Sequence, residues 1–362
     1  MEINVIENSK KYNYKVGLSD DKETKWFTSP NANYCFNLKT GTMYSWGNKL
    51  TDDPSRFPAP NILDIECTTI CNKGCKFCYK SNNLNGKCMN INTFKKIFDV
   101  LPKSITQIAF GADYDLTSNP DLWKMMEYCR ENYVIPNITA GYVDDEKADK
   151  LAKLCGAVAI SIYNPKDKAY DSIKRLTDRG MTQVNIHFMI AEETYEDCLK
   201  VIDDIKTDER LSKLNALVLL SLKQKGRGIG YHILSQEKFT NLCNIAREKG
   251  ISLGFDSCSS LKAFRAFSDK PEVRDNIIPC EGGLESSYIN VNGFYYPCSF
   301  MENVDDTEFP WKEGINVLDC KDSEDFLDKV WFAEKTLNFK DKLECTCNDN
   351  SENCRHCPYY NV

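Results

Sequence analysis

Three cysteines fall within eight residues, in the run Cys71-Asn72-Lys73-Gly74-Cys75-Lys76-Phe77-Cys78-Tyr79, and no other stretch restricts this chain as tightly. A loop that carries three thiolates leaves a metal one ligand short. A 4Fe-4S cluster resolves the shortage: three irons take the thiolates of Cys71, Cys75 and Cys78, and the fourth stays open for a substrate or cofactor. A structural zinc knot is the competing reading, but zinc usually takes four protein ligands, often as two C-x2-C pairs. Asn61 to Glu66, just ahead of the loop, alternate apolar residues and read as a strand that delivers it to the end of a sheet.

The rest of the composition narrows the setting. A chain of 362 residues buries a sizeable core and is expected to form two domains. Its 46 basic and 53 acidic residues are interspersed and give a net charge of -7, so there is no electrostatic footprint for nucleic acid or an anionic membrane. No apolar run is long enough to span a bilayer, and the first residues lack a signal peptide's basic and apolar regions, which places the chain in the cytoplasm. Eighteen cysteines in so long a chain fit metal clusters in a reducing, anaerobic compartment better than a secreted disulfide scaffold.

Residues 1 to 60 have no helical periodicity, and Asn33 to Trp46 reads as strand, turn at Lys39-Thr40-Gly41, strand. A β-hairpin-rich extension is expected there, serving as a lid or edge, with Pro54, Pro58 and Pro60 leading into the next domain. From residue 61 to 257, strand-like and helix-like segments alternate. Six such units are legible, with helices over Asn92 to Leu101, Asp121 to Tyr133 with Pro120 opening it, Glu146 to Leu154, Ala169 to Asp178, Tyr195 to Ile205 and Gln236 to Lys249. Strands alternating with helices predict an α/β fold with a parallel sheet of right-handed βαβ units and chemistry at the strands' carboxyl ends.

The C-x3-C-x-aromatic-C spacing after a first strand resembles the signature of the radical S-adenosylmethionine (radical SAM) family. The resemblance implies a partial (β/α)6 barrel. It also implies a cluster whose open iron chelates S-adenosylmethionine, which is cleaved to a 5′-deoxyadenosyl radical. It makes Phe77 and Tyr79 cofactor-side candidates. Phe110-Gly111-Ala112-Asp113 stands where the family has Gly-Gly-Glu binding the methionyl amino group, so Gly111, Ala112 and Asp113 are carried over with a carboxylate one methylene shorter. Thr139-Ala140-Gly141 resembles the Thr-Asn-Gly after the third strand, and Ser161 the ribose-contacting serine of the fourth. Asn185 and His187 alternate to one face of the fifth strand and point inward, as ligand contacts or as satisfied interior groups. Gly226-Arg227-Gly228 resembles a loop of relatives with extra clusters; it is otherwise a loop needing flexible glycines.

Beyond Asp256 cysteines become dense. Cys280-x12-Gly293-x4-Cys298 surrounds an Asn292-Gly293 two-residue hairpin turn, and Cys354-x2-Cys357 follows near the end. This resembles the twitch domain, the short form of the SPASM domain, and implies one auxiliary 4Fe-4S cluster on Cys280, Cys298, Cys354 and Cys357 within residues 258 to 362. A zinc ribbon is the alternative. Cys345 and Cys347 depart from the full SPASM spacing. Cys258 is either a further ligand or a catalytic thiol that donates a hydrogen atom to a substrate radical. The remaining cysteines, such as Cys67, Cys129 and Cys198, are expected to pack as small hydrophobes.

The resemblance implies an enzyme that takes an electron from an external donor such as flavodoxin or ferredoxin and abstracts a substrate hydrogen. A peptide or protein substrate, crosslinked, epimerised or oxidised, leads. Dehydrogenation of a small molecule such as an amino sugar alcohol is the second reading, and a non-catalytic iron-sulfur or zinc protein the third.

Overall fold

The computed structural model describes residues 3–54, 56–162 and 165–361. The amino-terminal segment is an antiparallel meander of β1 (Ile3–Ser9), β2 (Tyr14–Ser19), β3 (Thr24–Thr28), β4 (Asn33–Asn37) and β5 (Met43–Trp46), paired in chain order. Gly41 turns the β4–β5 hairpin at φ +74°, as the Lys39-Thr40-Gly41 run predicts. One face buries Val16, Phe27, Tyr34 and Phe36 against Phe57 of the linker. The buried Lys25 ammonium donates to Ile105 O at 2.6 Å, and the Tyr34 hydroxyl to Ser104 O. Both acceptors precede a strand of the large sheet. The meander therefore packs under the amino end of that sheet, away from the cysteine loop, rather than over the chemistry as a lid.

The large sheet carries the predicted alternation. It runs through β6 (Ile62–Glu66), α1 (Ile91–Val100), β7 (Gln107–Gly111), α2 (Leu122–Glu131), β8 (Ile135–Ala140), α3 (Asp145–Leu154), β9 (Val158–Ser161), α4 (Asp167–Asp178), β10 (Val184–Ile190), α5 (Tyr195–Thr207), β11 (Ala216–Ser221), α6 (Gln236–Glu248) and β12 (Leu253–Phe255). Asn90 caps α1 by accepting from Thr93 N. Pro120 stands one residue ahead of the α2 N-cap, Asp121, rather than inside the helix, because Asn119 is tied to Cys67 O at 2.7 Å and Met89 O at 2.9 Å.

Strands β6 to β12 lie side by side in chain order, all parallel. A sheet wound in one direction puts every right-handed crossover on the same face. The burial pattern agrees: along β10, Val184, Ile186, Phe188 and Ile190 are buried under helices, while Asn185, His187 and Met189 face a side that stays accessible. Asp64, Gln107, Thr139 and Ser161 share that side on their own strands. A parallel sheet covered on both faces would have apolar residues there instead.

The cysteine-rich carboxyl-terminal segment continues the same sheet. β13 (Ser286–Ile289) pairs in parallel with the outer edge of β6, from Ser286↔Ile62 to Ile289↔Ile65, and β14 (Phe294–Tyr296) folds back antiparallel. The turn differs from a two-residue Asn-Gly hairpin. Asn290 Oδ1 accepts from the amides of Asn292 and Phe294, which widens the turn to Asn290–Gly293 and leaves Gly293 at φ +83°. The carboxyl-terminal segment thus shares one sheet with β6 to β12. Among the described residues no helix is long and apolar enough to cross a membrane.

Trp331 joins the linker to this segment: it is fully buried and its Nε1 donates to Phe57 O at 3.2 Å. Trp331→Ala is expected to lower stability by about 3–5 kcal/mol, read by urea denaturation.

Candidate functional site

The cysteine loop leaves the carboxyl end of β6, where Cys67 N donates to Gly111 O at 2.9 Å. Gly74 takes φ +64° at its tip, and Cys71 N is held by Asn83 O at 2.9 Å. Cys71, Cys75 and Cys78 are all partly exposed. Their backbone is gripped from outside by the segment after β11. Arg227 Nε donates to Cys75 O at 2.7 Å, Arg227 N to Cys78 O at 3.0 Å, and Arg227 Nη1 to Asn82 O at 3.2 Å. Gly226 sits at φ +56°, where a Cβ would stand 2.3 Å from Tyr79 O and 2.8 Å from Cys78 O. Gly226-Arg227-Gly228 is therefore a clamp that needs the absence of a side chain, not a merely flexible loop. Among the described residues no three Cys, His, Asp or Glu side chains converge at the distance of a single metal ion. An accessible donor set of three thiols, with no imidazole or carboxylate among them, fits an iron-sulfur cluster.

A second clamp holds the loop's exit. Lys80, directly after Tyr79 and with its side chain 12% exposed, sits between two buried carboxylates: its Nζ lies 2.9 Å from Glu66 Oε1, bonds Glu302 Oε2, and donates to the Tyr288 hydroxyl at 2.7 Å. Glu66 Oε2 accepts from Val291 N at 3.2 Å, and Glu302 Oε1 from Asn290 Nδ2 at 2.7 Å. Burial pushes the Glu66 carboxyl up, and the Lys80 ammonium opposes that shift. Lys225 reaches the same place, donating to Phe300 O at 2.9 Å. Sequence reading passed over Glu66, Lys80 and Glu302, although a glutamate ending an apolar strand and a lysine adjoining the last cysteine were visible signals.

The carried-over residues divide into groups. Phe77 lies edge-on to Tyr231 at 6.1 Å, and Tyr79 packs 4.4 Å from Phe300, so the Tyr79 ring faces the carboxyl-terminal segment. Gly111 and Ala112 border the loop's origin. The buried Asp113 carboxylate turns back into its own loop and accepts from Thr117 N at 3.1 Å and Ser118 N at 3.3 Å, one bond to each oxygen. Ser161 is paired in register with His187, whose Nδ1 lies 3.4 Å from Thr139 Oγ1 across the small Ala159 strand position. Enclosure pushes the His187 imidazole down to about 4, against the field of Asp256, so it is neutral at pH 7. Asn185 sits nearer the amino end, its Oδ1 bound by Asn215 Nδ2 at 2.8 Å, and does not reach the cysteine loop's end of the interior. Asp64 faces the same interior, accessible yet enclosed by the sheet, and its carboxyl is pushed up to about 6 by desolvation.

Of the four carboxyl-terminal cysteines, Cys280 and Cys298 face each other across Gly282, where a Cβ would lie 3.9 Å from Cys280 Sγ and 3.5 Å from Cys298 Cβ. The Cys357 thiol interacts with both. The Cys354 Sγ contacts Ser260 Oγ at 3.8 Å. Cys345 is exposed, and Cys347 lies near Cys354. Cys67, Cys129, Cys155, Cys198, Cys243 and Cys320 are buried as expected.

No protein-family model and no curated protein matches this sequence. Solved structures do match the fold. Streptococcus suis SuiB bound to S-adenosylmethionine superposes with a TM-score of 0.59 at 17% identity, over 83% of this chain and 73% of that one. SuiB bound to its precursor peptide SuiA gives 0.62 at 13% identity, over 84% and 76%. The [FeFe]-hydrogenase maturase HydG gives 0.44 at 13% identity, over 82% and 65%. The fold of SuiB and the C-x3-C-x-aromatic-C loop together make the chain's resemblance to the radical SAM family one of both sequence and architecture.

Gly226→Ala is expected to displace the Cys78 and Tyr79 carbonyls and to lower the iron bound at the Cys71/Cys75/Cys78 loop at least severalfold, read by iron analysis after anaerobic reconstitution in a protein that keeps its circular dichroism. For His187, the folded value of about 4 lies below the unfolded one near 6.5, so the unfolded chain binds the extra proton and stability falls as pH drops from 6.5 to 4. Wild type should lose up to about 3 kcal/mol more than His187→Asn over that window, measured by urea unfolding at pH 7 and pH 4.5.

Proposed function

We propose that this protein is a radical SAM enzyme that modifies a peptide or protein. One observation carries the reading: an accessible three-thiol loop stands at the carboxyl end of a singly wound parallel sheet whose fold is that of SuiB. Ligands of parallel α/β sheets bind at that end. The choice of a peptide over a small molecule is supported by the SuiB structure that holds a precursor peptide. Closure of the sheet into a partial barrel and a twitch-like auxiliary-cluster segment belong to the same proposal.

Cys71, Cys75 and Cys78 would hold the first cluster and leave one iron for S-adenosylmethionine. When bound, these groups supply the chemistry: one electron from an external donor cleaves the sulfonium to methionine and a 5′-deoxyadenosyl radical, which takes a hydrogen atom from the substrate. The chain contributes position. Arg227 and Gly226 fix the backbone of the cysteine loop, and Lys80 ties its exit to Glu66 and Glu302. Thr139, Ser161 and neutral His187 offer uncharged hydrogen-bonding groups on the accessible face, where nucleoside and ribose hydroxyls are accommodated without a competing charge. The helix-covered face keeps water out from behind.

The test is anaerobic reconstitution followed by a reductive assay for 5′-deoxyadenosine. Wild type should bind about eight irons and release 5′-deoxyadenosine, and the Cys71/Cys75/Cys78→Ala variant should bind about four and release none. Wild type that binds zinc, or that carries a full iron load without cleaving S-adenosylmethionine, would sink the proposal. Deuterium transfer from a labelled peptide into 5′-deoxyadenosine, against none from a small amino sugar alcohol, decides the substrate class.

A further inference from the structure

We infer that Cys258, rather than Cys354, supplies the fourth thiolate of the carboxyl-terminal cluster site, so that Cys258, Cys280, Cys298 and Cys357 form one closed set. The inference deepens the proposed function and rests on an auxiliary cluster being held there. Its residues come from four separate places in the chain, which is why spacing alone pairs Cys354 with Cys357.

Cys258 sits just past β12, at the carboxyl end of the last parallel strand. The turn is rigid. Asp256 Oδ1 accepts from Ser221 N at 3.2 Å and from Ser259 N at 3.0 Å, and Asp256 Oδ2 pairs with Lys223 Nζ at 2.7 Å. Lys223 is 2% exposed and also donates to the Cys258 thiol. Its ammonium lies 4.6 Å over the ring of Phe300, two residues beyond Cys298. Tyr360, whose amide donates to Cys357 Sγ at 3.2 Å, packs its ring 6.5 Å from that same Phe300. Phe300 is thus the common neighbour of the segments that carry Cys258, Cys298 and Cys357. Cys280 completes the group: it faces Cys298 across Gly282, and its backbone is bonded to Arg355, whose Nε donates to Cys280 O at 3.1 Å.

All six pairs among these four thiols interact electrostatically. Cys354 lies beside Cys347, Arg355 and Glu352, and its Sγ contacts Ser260 Oγ at 3.8 Å. Arg355, held at Cys280, lies between Cys354 and Cys357 in sequence and separates their directions. Four thiolates on a 4Fe-4S cluster leave no open iron. The site is therefore suited to accept or pass an electron or to fix the sheet edge, not to chelate substrate, and Cys258 is not a free hydrogen-atom donor. Lys223 supplies a buried positive charge beside the added thiolate charge.

The experiment uses the full chain in the Cys71/Cys75/Cys78→Ala background, in which only the carboxyl-terminal site loads iron. Iron and sulfide are counted, and the reduced protein is examined by electron paramagnetic resonance, after adding Cys258→Ala, Cys258→Ser or Cys354→Ala, with circular dichroism as the folding control. The background and Cys354→Ala should both hold about four irons with one spectrum. Cys258→Ala should lose iron or shift its g-values, and Cys258→Ser should keep iron with a shifted spectrum. Loss of iron in Cys354→Ala overturns the assignment, as does an unchanged spectrum and iron load in Cys258→Ala. A background that binds no iron removes the auxiliary cluster itself, a failure of the underlying reading that is distinct from a wrong choice of cysteine.

Discussion

The Lys80 ammonium between the buried carboxylates of Glu66 and Glu302 is the interaction on which the geometry of the site depends. Glu66 ends the first parallel strand, Lys80 leaves the cysteine loop, and Glu302 belongs to the carboxyl-terminal segment. One cation therefore joins three parts of the chain that meet nowhere else in sequence. Two carboxylates share it, and each also accepts a hydrogen bond from the β13–β14 turn, so the desolvation of three charges is compensated by directed contacts. Removing one partner of such a network leaves an uncompensated buried charge, typically at a cost of about 3–5 kcal/mol. The arrangement gains register in exchange: with β13 locked in parallel beside β6, the cysteines of the hairpin and those of the loop are built on one sheet.

That continuity changes how the two cysteine groups relate. Tyr79 and Phe300 pack between them with their rings tilted, Lys225 spans to Phe300 and Glu302, and the Arg227 segment presses on the loop from the far side. Cys71, Cys75 and Cys78 of the first group are partly exposed. Of the second group Cys280 is buried, whereas Cys258, Cys298 and Cys357 are partly exposed, with Phe300 and Tyr360 packed beside them. The two cysteine groups thus share one support, the sheet that joins β6 to β13.

Much of this was legible in the sequence. The six helices and six strands read from periodicity fall within two residues of the observed elements in most cases, because each strand buries one face under a helix and each helix has a single apolar stripe. The three-thiol loop was visible from spacing alone, since local chain geometry fixes which of its atoms can meet. What sequence missed is tertiary. Gly226 and Gly228 looked like flexibility, but Gly226 is required by a carbonyl 2.3 Å from where its Cβ would be, a constraint set by residues 147 positions away. Asp113 stands where the family has a carboxylate, and the bonds that its oxygens accept from the Thr117 and Ser118 amides are local contacts that a motif does not reveal.

The accessible face follows from winding direction more than from any single residue. Because β6 to β12 are added in one direction, right-handed crossovers leave the opposite face without helices, and its side chains must live beside solvent or a ligand. Such a face would expose apolar surface unless polar residues lined it, and Asp64, Gln107, Asn137, Thr139, Ser161 and His187 do so. Their enclosure is deep enough to hold His187 neutral and to push Asp64 up to about 6, so the face is neither core nor open surface. A cysteine loop delivered to its carboxyl end thus opens onto a weakly charged, partly desolvated recess, the environment in which a neutral hydrogen-bonding group orients a ligand without the screening that bulk water would impose.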